Sequence, residues 1–222
     1  SLVMRHSGAM STPLAWQNLL YTAFENGINS LEVVDGSEVM TAGLRQALGA
    51  VERRLIFLSW RIVGDPRRPL NAETLSRLLR DALQRTGAGY FDLLSLEEPA
   101  FDSLTPDGHE LLKDLRSAGV ALQIGLTGDG PAVEAVTEDP TFEVLATPFS
   151  LLSDIRTRRR VKDAVSANMT AVAYDSVPGS LTQPPPGYQT PSSAQAYTGG
   201  KQDPDYTRNA DQQPQILPPG KF

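Results

Sequence analysis

The chain has no cysteine and only two histidines, His6 and His109, among its 222 residues. The first absence excludes disulfides, thiol nucleophiles and thiolate metal sites. The second leaves too little imidazole for a histidine-rich metal centre, so no metal is expected. Excess basic charge is missing too. A net charge of −6 and an isoelectric point near 5.0 exclude a protein held on nucleic acid mainly by phosphate contacts, which needs a basic face. No apolar run reaches membrane-spanning length, and the N-terminus has no basic segment followed by an apolar core. The expectation is a cytoplasmic protein with neither a nucleic-acid nor a membrane partner.

What is present is a chain 40% hydrophobic, enough for one sizeable core. Over residues 1–181, helical and strand-like segments alternate. Pro13 after Ser11 and Thr12 marks a helix start, and "LAWQNLLYTAFENG" carries apolar residues at helical spacing up to a stop at Gly27. The strand "INSLEVV" follows, then the helix "SEVMTAGLRQALGAVE" and the strand "RLIFLSW". The helix "NAETLSRLLRDALQRTG" has Asn71 as its cap and leads to "YFDLLSLEEPA", a buried strand that ends on two carboxylates. "TPDGHELLKDLRSAG", with Thr105 as cap and Pro106 in the first turn, leads to "ALQIGLT". A short helix in "PAVEAVTED", the strand "FEVLATPF", the helix "SDIRTRRRVKDAVSAN" and the strand "MTAVAYDSV" complete the series. Such alternation implies a parallel sheet, and seven or so units imply a (β/α)8 TIM-barrel-like fold. Residues 182–222 are rich in Pro, Gln, Gly and Ser and read as a C-terminal tail that cannot bury a core alone.

Five segments, in order and at the right spacing, resemble the aldo-keto reductase family: "AFENGINSLEVVDGSEV", "ALQRTGAGYFDLLSLEEP", "LRSAGVALQIGLTG", "FEVLATPFSLL" and "MTAVAYDSVPGSL". The resemblance runs from Pro13 to Leu181 and implies an aldo-keto reductase barrel truncated at its C-terminal end. It also implies a nicotinamide cofactor, NAD(H) or NADP(H), and a catalytic Asp, Tyr, Lys and His at the strand ends. Residue by residue, the Asp falls on Glu32, the Lys on Trp60 and the His on Glu97, while the Tyr falls in a shortened loop at Asp35-Gly36 that has no tyrosine. Tyr174 matches the tyrosine that stacks on nicotinamide, Thr127 matches a serine that contacts the carboxamide, and Ala146 replaces a glutamine between them. With the proton donor and its lysine replaced, no catalytic residue is assigned. The resemblance implies a non-catalytic homologue that binds or regulates a protein partner. It is similar in this to small oxidoreductase homologues that couple NAD(H) to bacterial cell division. The alternative is a reductase with a rearranged proton donor, because the steroid 5β-reductase branch also has a glutamate where Glu97 stands.

Other features read more plainly. "RTRRRVK", residues 156–162, is a solvated helix face or a surface for an acidic protein. His109 reads as a surface residue, His6 as structural or close to the barrel mouth, and "GDPRRP" as a solvated loop. "TGDGP", residues 127–131, could offer backbone N–H groups to an anion.

Overall fold

The computed structural model describes residues 1–176 apart from Ser7, Ala9 and Asp35. The expectations attached to Asp35, to the departure from the family pattern at Leu181 and to the tail at 182–222 therefore lie outside the described residues. Seven strands, β1 (Leu2–Met4), β2 (Ser30–Val34), β3 (Phe57–Ile62), β4 (Phe91–Glu97), β5 (Ala121–Thr127), β6 (Val144–Pro148) and β7 (Thr170–Tyr174), form one sheet. They pair in chain order and all in parallel, curling as seven units of the expected barrel. The connecting helices are α1 (Pro13–Glu25), α2 (Glu38–Leu48), α3 (Ala72–Thr86), α4 (Glu98–Asp102), α5 (Pro106–Ser117), α6 (Ala132–Thr137) and α7 (Ile155–Ser166).

Local chemistry sets these boundaries. The Asn71 side chain accepts the Thr74 N–H at the start of α3, and Gly87 ends that helix at φ +65°, a left-handed turn that glycine adopts without strain. Thr12, Ser37 and Asp154 cap α1, α2 and α7 in the same way as Asn71. Thr105 does not act as the expected side-chain cap. Its hydroxyl donates to Leu70 O, tying α5 to the segment before α3. The β3 boundary differs from the sequence reading as well: the strand continues two residues past Trp60 to Ile62.

Strand alternation sorts the side chains. Leu31, Val33, Leu58, Trp60, Ile62, Leu94, Leu96, Ile124, Leu126 and Leu145 join one buried cluster with Met40, Leu44, Leu75, Leu79 and Leu112 from the helices. The other face of the sheet carries Val34, Leu93 and Val144 and, among them, the sheet's polar side chains. The register sets Glu32 beside Ser59, Arg61 beside Ser95, Glu97 beside Thr127, Thr127 beside Ala146, and Pro148 beside Tyr174. Glu32, Ser59, Arg61, Ser95, Glu97, Thr127, Ala146 and Tyr174 thus share the concave face, opposite the helices.

Candidate strand-end site

The centre of this face is Arg61, only 7% exposed. A buried guanidinium needs carboxylate partners, because it keeps its charge in a protein interior. It has two. Arg61 Nε donates to Glu32 Oε1 at 2.7 Å, with Nη2 on the same oxygen, and Nη1 lies 3.4 Å from Glu97 Oε1. The Tyr174 ring centroid is 6.0 Å from the guanidinium carbon, at the outer limit of a cation–π contact. Burial pushes the Tyr174 phenol above the ordinary tyrosine pKa, outweighing the opposing pull of the Arg61 charge. The phenol is therefore a weaker acid than in water.

The expected site residues separate into two groups. Glu32, Glu97, Thr127 and Tyr174 come together, the last three as the final residues of their strands. Trp60 does not join them. It faces the helices, with its ring 5.4 Å from that of Phe91 and its edge against Gly36 and Thr41. β3 presents alternate residues to each face, so Trp60, the residue matched to the family lysine, does not reach the site, and Arg61 is the one that does. An arginine inside the apolar run "LIFLSWRIV" was the available sequence signal, because a charge there must be paired.

Thr127 is 4% exposed, with its Oγ1 2.6 Å from Ser95 Oγ, so this hydroxyl is engaged within the sheet. Ser59 is equally buried and its Oγ has no partner. Of the two cofactor candidates, Tyr174 is the more accessible: its aromatic ring is only partly covered and stands at a strand end. Among the described residues, no group of three or more His, Asp or Glu is placed to hold a metal ion.

Glu98, next to Glu97, has a different task. Its Oε1 accepts the Gly130 N–H at 2.5 Å, and a Cβ on either Gly128 or Gly130 would collide with its carboxylate. The "TGDGP" turn is thus filled by the protein's own anion and is not open to a ligand. Since that carboxylate can swing away, Gly130→Ala should cost about the hydrogen bond itself, roughly 1.5 kcal/mol. Urea melts of Gly130→Ala, Glu98→Gln and the double variant should show strongly non-additive losses, and additive ones would refute the latch.

His109, expected at the surface, is held there by a partner. Half-buried, its Nε2 lies 2.5 Å from Asp139 Oδ2. Burial opposes the Asp139 charge, but hydrogen bonds from Thr141 and His109 outweigh it and hold the carboxyl below its ordinary 3.8. Because the folded pKa is depressed, this contribution to stability is present above that value and is lost as pH falls below it. His6 is exposed, as are the Arg67 and Arg68 side chains and most of the basic stretch on α7.

No protein-family model matches the chain, and no curated protein does. Solved structures do. An aldo-keto reductase of Bacillus halodurans in its holo form superposes with a TM-score of 0.63 at 17% identity, over 74% of this chain and 58% of that one. Bombyx mori aldo-keto reductase in complex with NADP gives 0.59 at 16% identity, over 78% and 61%. The aldose reductase of Giardia lamblia gives 0.59 at 13%, over 78% and 64%. This chain spans about three-fifths of the length of those structures. Seven parallel strands paired in chain order, with helices between them, match that part of those structures: the fold of this chain is that of a truncated aldo-keto reductase barrel.

Proposed function

We propose that this chain binds a nicotinamide nucleotide at the strand ends without reducing a carbonyl, and that the bound state regulates a protein partner. The observation that carries this reading is the Glu32–Arg61–Glu97 network. Carbonyl reduction needs a group that releases a proton to the nascent alkoxide. The central cation here is a guanidinium, which does not give up its proton, and both adjacent carboxylates are paired to it. Tyr174, partly exposed at the end of β7, is a hydroxyl of this face among the described residues, and burial weakens it as an acid. The Bombyx mori neighbour, a complex with NADP, supports the choice of ligand class. A nicotinamide would supply hydride chemistry when bound. Tyr174 would stack on its ring, and the two carboxylates around one guanidinium would favour its cationic, oxidised form over the uncharged one.

Titration with NADH, NADPH and NAD, followed by calorimetry, tests the binding. Tyr174→Ala should weaken it several-fold to tenfold, as expected for loss of about 1 kcal/mol of stacking. Glu97→Gln should leave it unchanged or slightly tighter, because the nucleotide's phosphates and a carboxylate repel. Unchanged affinity in Tyr174→Ala would place the nucleotide elsewhere. NADPH oxidation with a generic aldehyde at around 1 per second would refute the non-catalytic reading.

One observation favours the runner-up, a reductase with Glu97 as the rearranged donor. Glu97 is the more exposed and more loosely held of the two carboxylates, at 3.4 Å from the guanidinium. Turnover abolished by Glu97→Gln would establish that reading. The regulatory output implied by the sequence resemblance is bacterial cell division. Overproduction should change cell length, and Tyr174→Ala should abolish the change; equal effects of both proteins would separate the output from the nucleotide.

A further inference from the structure

A cavity of about 810 Å³ lies where the loop after β3 meets α3. Its volume is that of a small-molecule site. Trp60, Ile62, Pro69 and Leu78 give it an apolar wall, and Leu78 is 42% exposed there. Four arginines line it, Arg61, Arg68, Arg77 and Arg85, against a single lining acid, Asp65, among the described residues.

These cations are not equally committed. Arg61 belongs to the Glu32–Glu97 network, and Arg85 is held by Asp81 at 2.8 Å and by Gly36 O at 2.9 Å. Arg68 makes only a loose contact of 3.7 Å with Asp65 while 88% exposed, a pairing that contributes little in water. Arg77 is exposed and forms no ion pair among the described residues. The N-terminus of α3 adds no anion site, because the Ala72 and Thr74 N–H groups are already taken by Asp107 and Asn71. The positive charge at this cavity therefore comes from side chains able to turn toward a ligand. The loop that carries Arg68 is fixed from below. Gly64 sits at φ +77°, and a Cβ there would meet the Ala100 backbone at 2.4 Å.

We propose that this cavity binds a small organic anion, an apolar and preferably flat body bearing one phosphate or carboxylate. The body packs against Trp60 and Leu78, and the anionic group is held by Arg68 and Arg77. The cavity adjoins the strand-end site at Arg61, whose head group is committed to Glu32 and Glu97, and the proposal does not depend on the nucleotide reading. The proposed contacts are with Trp60, which points to the helix-facing side of β3, and with Leu78, Arg68 and Arg77 beyond it.

Calorimetry with 1-naphthyl phosphate tests it, with 1-naphthol and inorganic phosphate as comparators. The phosphate ester should bind at least about tenfold more tightly than either comparator, since both the apolar and the charged contact are needed. The Arg68→Gln/Arg77→Gln double variant should lose about tenfold or more in affinity, with its melting temperature unchanged because both side chains are exposed. Arg156→Gln/Arg160→Gln, an equal change of net charge on α7, should keep the affinity. Tyr174→Ala should keep it as well. Equal binding of naphthol, undiminished binding by the Arg68/Arg77 variant, loss in the α7 variant, or loss in Tyr174→Ala would each overturn the proposal. The last would assign the probe to the strand ends.

Discussion

Replacing Arg61 with methionine is expected to destabilise the protein by about 3–5 kcal/mol at neutral pH, the usual loss when one partner of a buried ion network is removed. Methionine restores most of the side-chain volume, so the loss is electrostatic and not that of a cavity. Glu32 and Glu97, with side chains 19% and 25% exposed, would be left on one face of the sheet with no cation between them. Rescue separates this from a packing defect. Neutralising the whole network, Arg61→Met with Glu32→Gln and Glu97→Gln, should recover most of the loss. Guanidinium melts of the three proteins at pH 7 would decide it. No rescue by the triple variant would mean that Arg61 acts through packing.

Trp60→Lys should be the most damaging single change of those considered. It writes the family lysine into the position that residue-by-residue matching assigns to it. If Trp60 faced the concave side, the ammonium would meet Glu32 and the variant would be tolerated, even gaining a catalytic group. In the structure the side chain points at the helices, 7% exposed, within the same cluster as Leu58 and Leu94. Losing a buried tryptophan costs about 3–5 kcal/mol through the cavity alone, and an unpaired ammonium placed in the remaining space adds to that. The expected result is an unfolded or aggregating protein with no reductase activity, while Trp60→Phe should fold with a loss of only a few kcal/mol at most. A well-folded Trp60→Lys protein with near-native melting would show that β3 is in the other register.

Much of the architecture was legible without coordinates. Alternating apolar strands and amphipathic helices with recognisable caps allow one economical solution, a parallel sheet with helices packed on it, because each element has an apolar surface that only the other can cover. Asn71, Ser37 and the left-handed Gly87 fix their helix ends through bonds within a few residues, which is why such boundaries can be read locally. The polar residues Glu97, Thr127 and Tyr174 were also visible as positions, since a strand's last residue is a local property, and so was Glu32 within β2.

Which residue faces which way was not local. A shift of one residue along β3 exchanges Trp60 for Arg61 and turns the site from one lacking a cation into one built around a guanidinium. That choice was settled only by the pairing of β3 with β2 and β4, whose registers place Arg61 beside Val34 and Ser95 and bring its head group to Glu32 and Glu97. The same holds for Glu98, whose partner Gly130 is 32 residues away, and for His109, which meets Asp139 across 30. The sequence by itself determined the elements and their order, because these follow from periodicity and short-range hydrogen bonds. Only the tertiary structure decided which charges meet, because a buried ion must find its counter-ion wherever the sheet's register and the helix packing deliver one.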